Sequence, residues 1–302
     1  MSKQVTANDR TSIPLVAVGL ALMLCIIFAS GMVAAKVGLR QFPPLFFGAL
    51  VFTLASGALG VYARILGEEL QPPSLTIWRS HCISALLFLL AKVALLGGLQ
   101  WTLSIRASVF MAIYPFFVAI FNSLIARQER LKGSKLVGLS LTFAGVVIAF
   151  SDRLALGSGA SWLGDSLVIL SSVFLALIVL HLRRVTRSVS SIQAIFWQMV
   201  LSLPMFWLGA FIFESPLTFP QFSISWLAIA YNALVTNSIG LALRAELFRR
   251  YSANTISSFL AIVPIIGLGL GHLLLTEPLT WTVAIGGAIV SFGVFVVYRS
   301  KN

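Results

Sequence analysis

The chain has 302 residues, 59% hydrophobic and only 10% charged, and its 21 Lys and Arg against 9 Asp and Glu give a formal net charge of +12. Water-soluble domains are closer to half apolar and a quarter charged, so this composition excludes an ordinary soluble fold. It also removes the nucleic-acid reading that such a charge would invite, because the basic residues sit between apolar runs of about 20 residues, the length that crosses a ~30 Å hydrocarbon layer as a helix.

Ten such runs predict ten transmembrane spans, near 14–35, 42–64, 78–98, 106–126, 133–151, 162–182, 191–213, 223–247, 253–275 and 279–298. Each is continuously apolar, without the alternation of a barrel strand, and in lipid only helices and closed barrels satisfy every backbone group. Pro14 and Pro44 stand at span starts, whereas Pro115, Pro204 and Pro264 lie inside spans and predict kinks. The first span, preceded by Lys3 and Arg10, is too long for a secretory signal and is followed by nine similar segments, so it reads as a retained helix. Cys25 and Cys82 fall in different spans without metal-ligand spacing and read as small packing residues.

The basic residues divide unevenly about these spans. With the N-terminus in the cytoplasm, fifteen fall on that side: Lys3, Arg10, Arg64, Arg79, Arg127, Arg130, Lys132, Lys135, Arg183, Arg184, Arg187, Arg249, Arg250, Arg299 and Lys301. Four fall on the other, Lys36, Arg40, Arg106 and Arg153, and Lys92 and Arg244 lie within spans. The positive-inside rule therefore places both termini in the cytoplasm, and the expected location is the cell (inner) membrane.

The chain also repeats. Pro115, Glu129, Gly138 and Gly145 are matched by Pro264, Glu277, Gly286 and Gly293, with nine residues from Glu to the first Gly and sixteen to the second in both halves. Five spans per half is an odd number, so the second half enters the membrane with opposite orientation, the inverted-repeat architecture that points to alternating access. The expected organisation is a cytoplasmic tail (1–13), a first five-helix repeat (14–151), an extracytoplasmic linker (152–161) holding Gly157-Ser158-Gly159, a second five-helix repeat (162–298) and a short cytoplasmic tail (299–302).

These paired segments resemble the repeats of the EamA branch of the drug/metabolite transporter superfamily over nearly the whole chain. Lys36 closing the first span, Pro44 opening the second, Gly164-Asp165 opening the second repeat and the Arg249-Arg250-Tyr251-Ser252-Ala253 turn match as well. The resemblance implies an all-α, ten-helix secondary transporter with a central cavity between the halves, commonly an exporter of amino acids or other small metabolites. The sequence departs from the family pattern at Val51, at Phe28-Ala29-Ser30 and at Pro278, all positions that bear on substrate subtype rather than on fold.

Candidate site residues are polar groups that carry an energetic penalty in lipid and therefore face a bundle interior or an aqueous path. Lys92, about two-thirds along the third span, either snorkels to the outer interface or binds a substrate carboxylate or other anion. Lys36, at the outer end of the first span, is either interfacial or lines the same vestibule. The eighth span carries Tyr231, Asn232, Thr236, Asn237, Arg244 and Glu246; α-helical spacing pairs Asn232 with Thr236 and Asn237 with Arg244 on adjoining faces, fit either for a cavity lining or for interhelical hydrogen bonds. Glu246 is expected to pair with Arg249 and Arg250. Gln100, Tyr114 and Asn122 complete the substrate-binding set, with Trp101 as an interfacial anchor and Gln193, Trp197, Gln198 and His272 as further candidates. His81 and His181 lie near cytoplasmic span ends and are expected to be solvated or interfacial.

No carboxylate falls near mid-membrane, no G-x-x-x-x-G-K-[ST] loop is present, and neither H-E-x-x-H nor G-x-S-x-G occurs, which argues against ATP-driven transport and against an intramembrane enzyme. The expected function is a carrier, with export favoured, for a small polar or amphipathic organic solute such as an amino acid, with no cofactor and no nucleic-acid partner. A channel or lipid-translocating scaffold is the alternative. Monomer and homodimer are both compatible with the sequence.

Overall fold

The computed structural model describes residues 14–71, 74–125, 133–151, 162–214, 223–251 and 253–299. The terminal tails, the linker with Gly157-Ser158-Gly159, and Glu129 lie outside the described residues. Ten helices are long and apolar enough to cross a membrane: α1 (Leu15–Gly38), α2 (Pro44–Ile65), α3 (Leu75–Trp101), α4 (Ser104–Leu124), α5 (Gly133–Ser151), α6 (Trp162–Val185), α7 (Ser191–Phe213), α8 (Ile224–Arg250), α9 (Thr255–Leu275) and α10 (Trp281–Arg299). No strand occurs among the described residues.

Three spans are interrupted where proline forces it. α4 breaks after Met111 and resumes at Tyr114, one residue before Pro115; α7 breaks after Val200 and resumes at Leu203 before Pro204; α9 breaks after Leu260 and resumes at Val263 before Pro264. Proline has no N–H to donate and its ring collides with the preceding turn, so the helix ends and restarts with proline near the new N-terminus.

Two helix pairings dominate the packing, α5 with α10 and α3 with α6. Both are antiparallel and both are made of glycine. A Cβ on Gly145 would stand 2.7 Å from the Gly286 carbonyl oxygen and one on Gly138 would stand 2.8 Å from that of Gly293, with the reverse contacts at 2.7 Å. Backbones therefore touch directly, which is how helices gain dispersion contact in lipid, where burial of apolar surface offers no drive. The four repeat landmarks are thus partners of one another across the pseudo-twofold. Gly98 and Gly164 do the same for α3 and α6, at 2.8 and 2.9 Å.

The chain crossings define two poles. The Trp101 pole gathers the ends of α1, α3, α5, α7 and α9 with the starts of the even-numbered helices, and the Arg64 pole gathers the opposite ends. Exposed Trp101, Trp162 and Trp281 girdle the first pole, as interfacial aromatics do. Large apolar side chains such as Ile26, Leu54, Leu86, Phe211 and Phe292 cover the outside, where lipid is their solvent. Cys25 is buried in packing as expected, but Cys82 is exposed on the apolar flank, because its face of α3 points away from the neighbouring helices.

Candidate substrate cavity

At the Trp101 pole, charge closes the bundle. Arg106, expected in an outer loop, is 0% exposed: its Nη2 donates to Asp165 Oδ2 at 2.6 Å, its Nη1 donates to the Ala149 carbonyl at 3.2 Å, and its guanidinium lies over Phe110. Thr102 Oγ1 donates to the other Asp165 oxygen at 2.5 Å, so the pair joins α4 and the α3–α4 corner to α6. A few residues away Glu277 accepts from the Ser104 and Ile105 amides, both at 2.9 Å, and from Ser104 Oγ at 2.8 Å, capping α4 from the far end of α9. Thr276 adopts φ 54°, a left-handed turn that swings Glu277 back onto α4. Glu214, just past α7, caps α2 in the same manner through the Leu45 and Phe46 amides, both at 2.8 Å. Burial pushes the Glu214 carboxyl above the usual carboxylate range, against the two amides that favour its charge. Below these caps an aromatic packing of Phe42, Phe46, Phe52, Phe88, Phe206, Trp207 and Trp226 fills the space between α2, α3, α7 and α8.

Lys36 belongs to this seal. Its Nζ donates to the carbonyls of Leu99 at 2.6 Å and Thr102 at 2.7 Å, with Gln100 at 3.4 Å, satisfying the end of α3. Gln100 itself offers only its backbone and has an exposed side chain. Lys36 and Lys92 therefore do not share a vestibule, since Lys92 lies about 10 to 15 Å deeper along α3 at 1.5 Å per residue.

Lys92 is the outstanding group of the interior. Its Nζ sits 5.6 Å from the Phe52 ring centre and 5.4 Å from that of Phe88, and among the described residues it has no ion pair or hydrogen bond. Cation–π attraction to the two rings offsets part of the penalty of this partly buried cation. Phe52 and Phe88 were not visible as site residues in the sequence; the only clue was Phe88 at i−4 from Lys92.

The polar residues of α8 form a second group, arranged differently from the α-helical expectation. Tyr231–Ile239 is π-helical, so its bonds run i to i+5. Asn237 Nδ2 accordingly donates to the Asn232 carbonyl at 2.9 Å, Asn232 Nδ2 donates to the Ala228 carbonyl, and Ser238 Oγ donates to Ala233 and to Ala55 of α2. Thr236 is packed on Gly31 of α1 with its hydroxyl buried and without a protein partner. The α-helical spacing puts Asn232 and Thr236 on one face; in the wider π-helical turn the side-chain bond runs instead from Asn237 to the Asn232 carbonyl. Tyr231 shares a 2.6 Å hydrogen bond with Ser30 of α1.

A third group lies nearer the Arg64 pole. Tyr298 donates to the Tyr114 hydroxyl at 3.3 Å, and Arg244, stacked 5.5 Å from the Phe248 ring, is an electrostatic neighbour of Tyr298. Glu246 does not serve Arg244: it accepts from Arg249 at 2.8 and 2.7 Å and from Arg250. Asn122 is partly exposed on the last turns of α4 and joins none of the three groups.

At the Arg64 pole a cavity of about 320 Å³ separates α2 from α7, lined by Thr53, Ser56, Gly57, Gly60, Val61, Arg64, Leu70, Phe196 and Val200. Thr53, the α2 residue of the lining farthest from the Arg64 pole, is exposed, adjoins Phe52 in sequence and accepts a hydrogen bond from Trp207 at 3.1 Å; Lys92 is not part of the lining. Of the further candidates, Gln193 donates to the Gln71 carbonyl at 2.8 Å and Trp197 to that of Leu70, so both hold the α2–α3 loop, and His272 contacts the Glu277 carbonyl at 2.9 Å.

This arrangement agrees with the chain's likeness to known proteins. It is 26% identical to a probable amino-acid metabolite efflux pump of Escherichia coli K12 over 290 residues, covering 92% of this chain and 93% of that one. It is 23% identical to the uncharacterized transporter YoaV of Bacillus subtilis 168 over 87% of this chain and 90% of that protein, and 24% identical to the uncharacterized inner membrane transporter YedA of E. coli over 94% and 90%. A crystal structure with 18% identity superposes with a TM-score of 0.69, covering 94% of this chain and 98% of the other, and supports the ten-helix fold. The model of the EamA-like transporter family matches twice, over residues 15–151 and 162–299, one match on each five-helix half, and the chain belongs to that family.

Proposed function

We propose that this transporter is a secondary carrier that exports a small organic solute bearing a carboxylate, by alternating access. The observation that carries the reading is Lys92, a partly buried cation beside the paired rings of Phe52 and Phe88 with no counter-charge among the described residues. A charge left unpaired away from water is expensive, and a bound carboxylate removes that penalty while the rings favour an apolar or aromatic body beside it. The name of the E. coli relative, a probable amino-acid metabolite efflux pump, is consistent with such a solute.

The orientation follows from the basic residues. Arg64, Arg79, Arg183, Arg184, Arg249 and Arg250 all belong to the Arg64 pole, which is assigned to the cytoplasm, with the inner membrane as the location. The cavity between α2 and α7 then opens inward with Arg64 at its rim, while the capped Trp101 pole faces outward and is shut. Solute enters past Arg64 and the Ser56 and Thr53 hydroxyls toward Lys92. The Asn232–Asn237 turn and the Arg244–Tyr298–Tyr114 group supply further polar contacts as the halves rock.

Counterflow in proteoliposomes tests this. Vesicles preloaded with an amino-acid mixture are expected to accumulate selected labelled amino acids, and Lys92→Gln is expected to raise the half-saturation concentration about tenfold or more, the worth of a charge-assisted hydrogen bond. Equal half-saturation in Lys92→Gln removes the assignment of Lys92. Flux without counterflow or stereoselectivity replaces the carrier with a channel.

A further inference from the structure

The face of α3 that carries Lys92 holds a second unexplained group at its other end. His81, expected to be solvated, is 0% exposed, and neither ring nitrogen has a hydrogen-bond partner in the protein. One turn deeper, Ser84 is also fully buried with an unpartnered hydroxyl. His81, Ser84, Phe88 and Lys92 follow at i, i+3, i+7 and i+11, which is one stripe of an α-helix, running from the Arg64 pole to the ammonium. Buried polar atoms are nearly always satisfied, so three orphans on one stripe mark a place where an exchangeable proton and water belong.

The stripe has an entrance. His181 of α6 is only partly buried, and its Nε2 meets the carbonyl of Ser80, the residue before His81, at 2.9 Å. Toward this end of α3 the ionisable groups on the surrounding elements are Arg183 and Arg184 on α6, Tyr62 and Arg64 on α2, and Arg79 and Cys82 on α3 itself, and α7 contributes none; Asp165 of α6, Cys25 and Lys36 of α1, and Arg106 and Tyr114 of α4 lie farther toward the Trp101 pole. Glu68 and Glu69, in the loop between α2 and α3, are the acids at this end. No carboxylate among the described residues is paired with His81, and its neutral imidazole carries one N–H and one unprotonated nitrogen, so a proton taken up there is a buried charge that needs the anion at Lys92 or water to stabilise it.

We propose that His81, reached through His181, is a proton-binding site open to the Arg64 pole and linked to the anion at Lys92, so that a proton and the solute load together. The linkage rests on the Lys92 reading above; the proton site does not. The proton leaves a cytoplasmic hydronium ion, forms an N–H bond on the free ring nitrogen of His81, and adds one positive charge to the stripe. Eleven residues at 1.5 Å place that charge about 16 Å from Lys92, where at an effective dielectric near 20 it strengthens anion binding about fivefold. By reciprocity the bound anion strengthens proton binding by the same factor.

The chain has three histidines, which makes the test direct. The full-length protein, labelled with ¹⁵N-histidine in lipid nanodiscs, is titrated between about pH 5 and pH 8, with signals assigned by His181→Gln and His272→Gln. The His81 nitrogens are expected to titrate, with a midpoint that moves in His181→Gln; shifts constant through the range overturn the site. In parallel, counterflow of the labelled amino-acid mixture is run at internal pH of about 6 and about 8, where half-saturation is expected to differ about fivefold in wild type and to become equal in His81→Gln. A wild-type pH ratio retained in His81→Gln overturns the linkage. Absence of wild-type counterflow overturns the carrier reading and leaves the titration to judge His81.

Discussion

The two poles of this transporter are built from different chemistry. At the Trp101 pole helix ends are tied by ions: Arg106 to Asp165, Lys36 to the carbonyls ending α3, Glu277 to the amides opening α4 and Glu214 to those opening α2. At the Arg64 pole the described ties between elements are neutral and reach loops, Gln193 and Trp197 to the carbonyls of Gln71 and Leu70, the Glu246–Arg249–Arg250 ion pairs stay within α8, and a cavity opens between α2 and α7. Charge-assisted bonds away from water are strong but need every partner in place, whereas neutral bonds to exposed loops are weaker and tolerate the loss of one partner. A seal of the first kind is all-or-none. An opening of the second kind is graded, and the molecule places the seal opposite the opening.

That contrast breaks most visibly at Arg106. Arg106→Ala leaves Asp165 buried with its charge uncompensated, and the expected loss is about 3–5 kcal/mol of stability, measured by thermal unfolding in detergent. Replacing both partners, Arg106→Met with Asp165→Leu, is expected to return most of it, because an apolar pair avoids the desolvation cost. If the double variant is no better than the single one, the pair is not an isolated electrostatic unit.

The second test sets tight packing against the cleft. A Cβ at Gly145 would stand 2.7 Å from the Gly286 carbonyl oxygen, so Gly145→Ala forces two backbones apart, with an expected loss of about 1–3 kcal/mol. Gly57 lines the cavity and has nothing within 4 Å of the same added atom, so Gly57→Ala is expected to be neutral or to gain up to about 1 kcal/mol from helix propensity. Equal effects would mean that α2 is as tightly held as α5.

Reading the sequence reaches the elements whose cause is local. Ten runs of about 20 apolar residues produce ten spans, and Pro115, Pro204 and Pro264 break them where a missing N–H must. The repeat glycines are legible as landmarks, although their reciprocal contacts become evident only when α5 meets α10. What stays hidden depends on long-range pairing or on register. Arg106 looks like a loop cation because Asp165, its partner, is 59 residues away. His81 looks interfacial because its proximity to a span end says nothing about the α3 face it occupies. Asn232 and Thr236 are read as one face because 3.6 residues per turn is assumed, and the π-helical turn brings Asn237 onto the Asn232 carbonyl instead. Lys92 is conspicuous in the sequence, but Phe52, which with Phe88 forms the ring pair beside it, comes from another helix.

The smallest expected effect concerns Glu214, whose carboxyl sits outside the spans and whose burial raises its proton affinity above that of an exposed glutamate. A group with a raised folded-state value binds its proton more tightly in the folded, sealed molecule than in the unfolded chain. Its contribution is therefore fully present below the ordinary glutamate range and is lost as pH rises from that range through the raised value, above which both states are ionised. Wild type is expected to lose unfolding temperature across that interval and Glu214→Gln to lose less, since glutamine keeps an acceptor for the Leu45 and Phe46 amides but has no proton to release. Parallel pH profiles would mean that the cap on α2 stays hydrated, and that the Trp101 pole is sealed by Arg106, Lys36 and Glu277 without it.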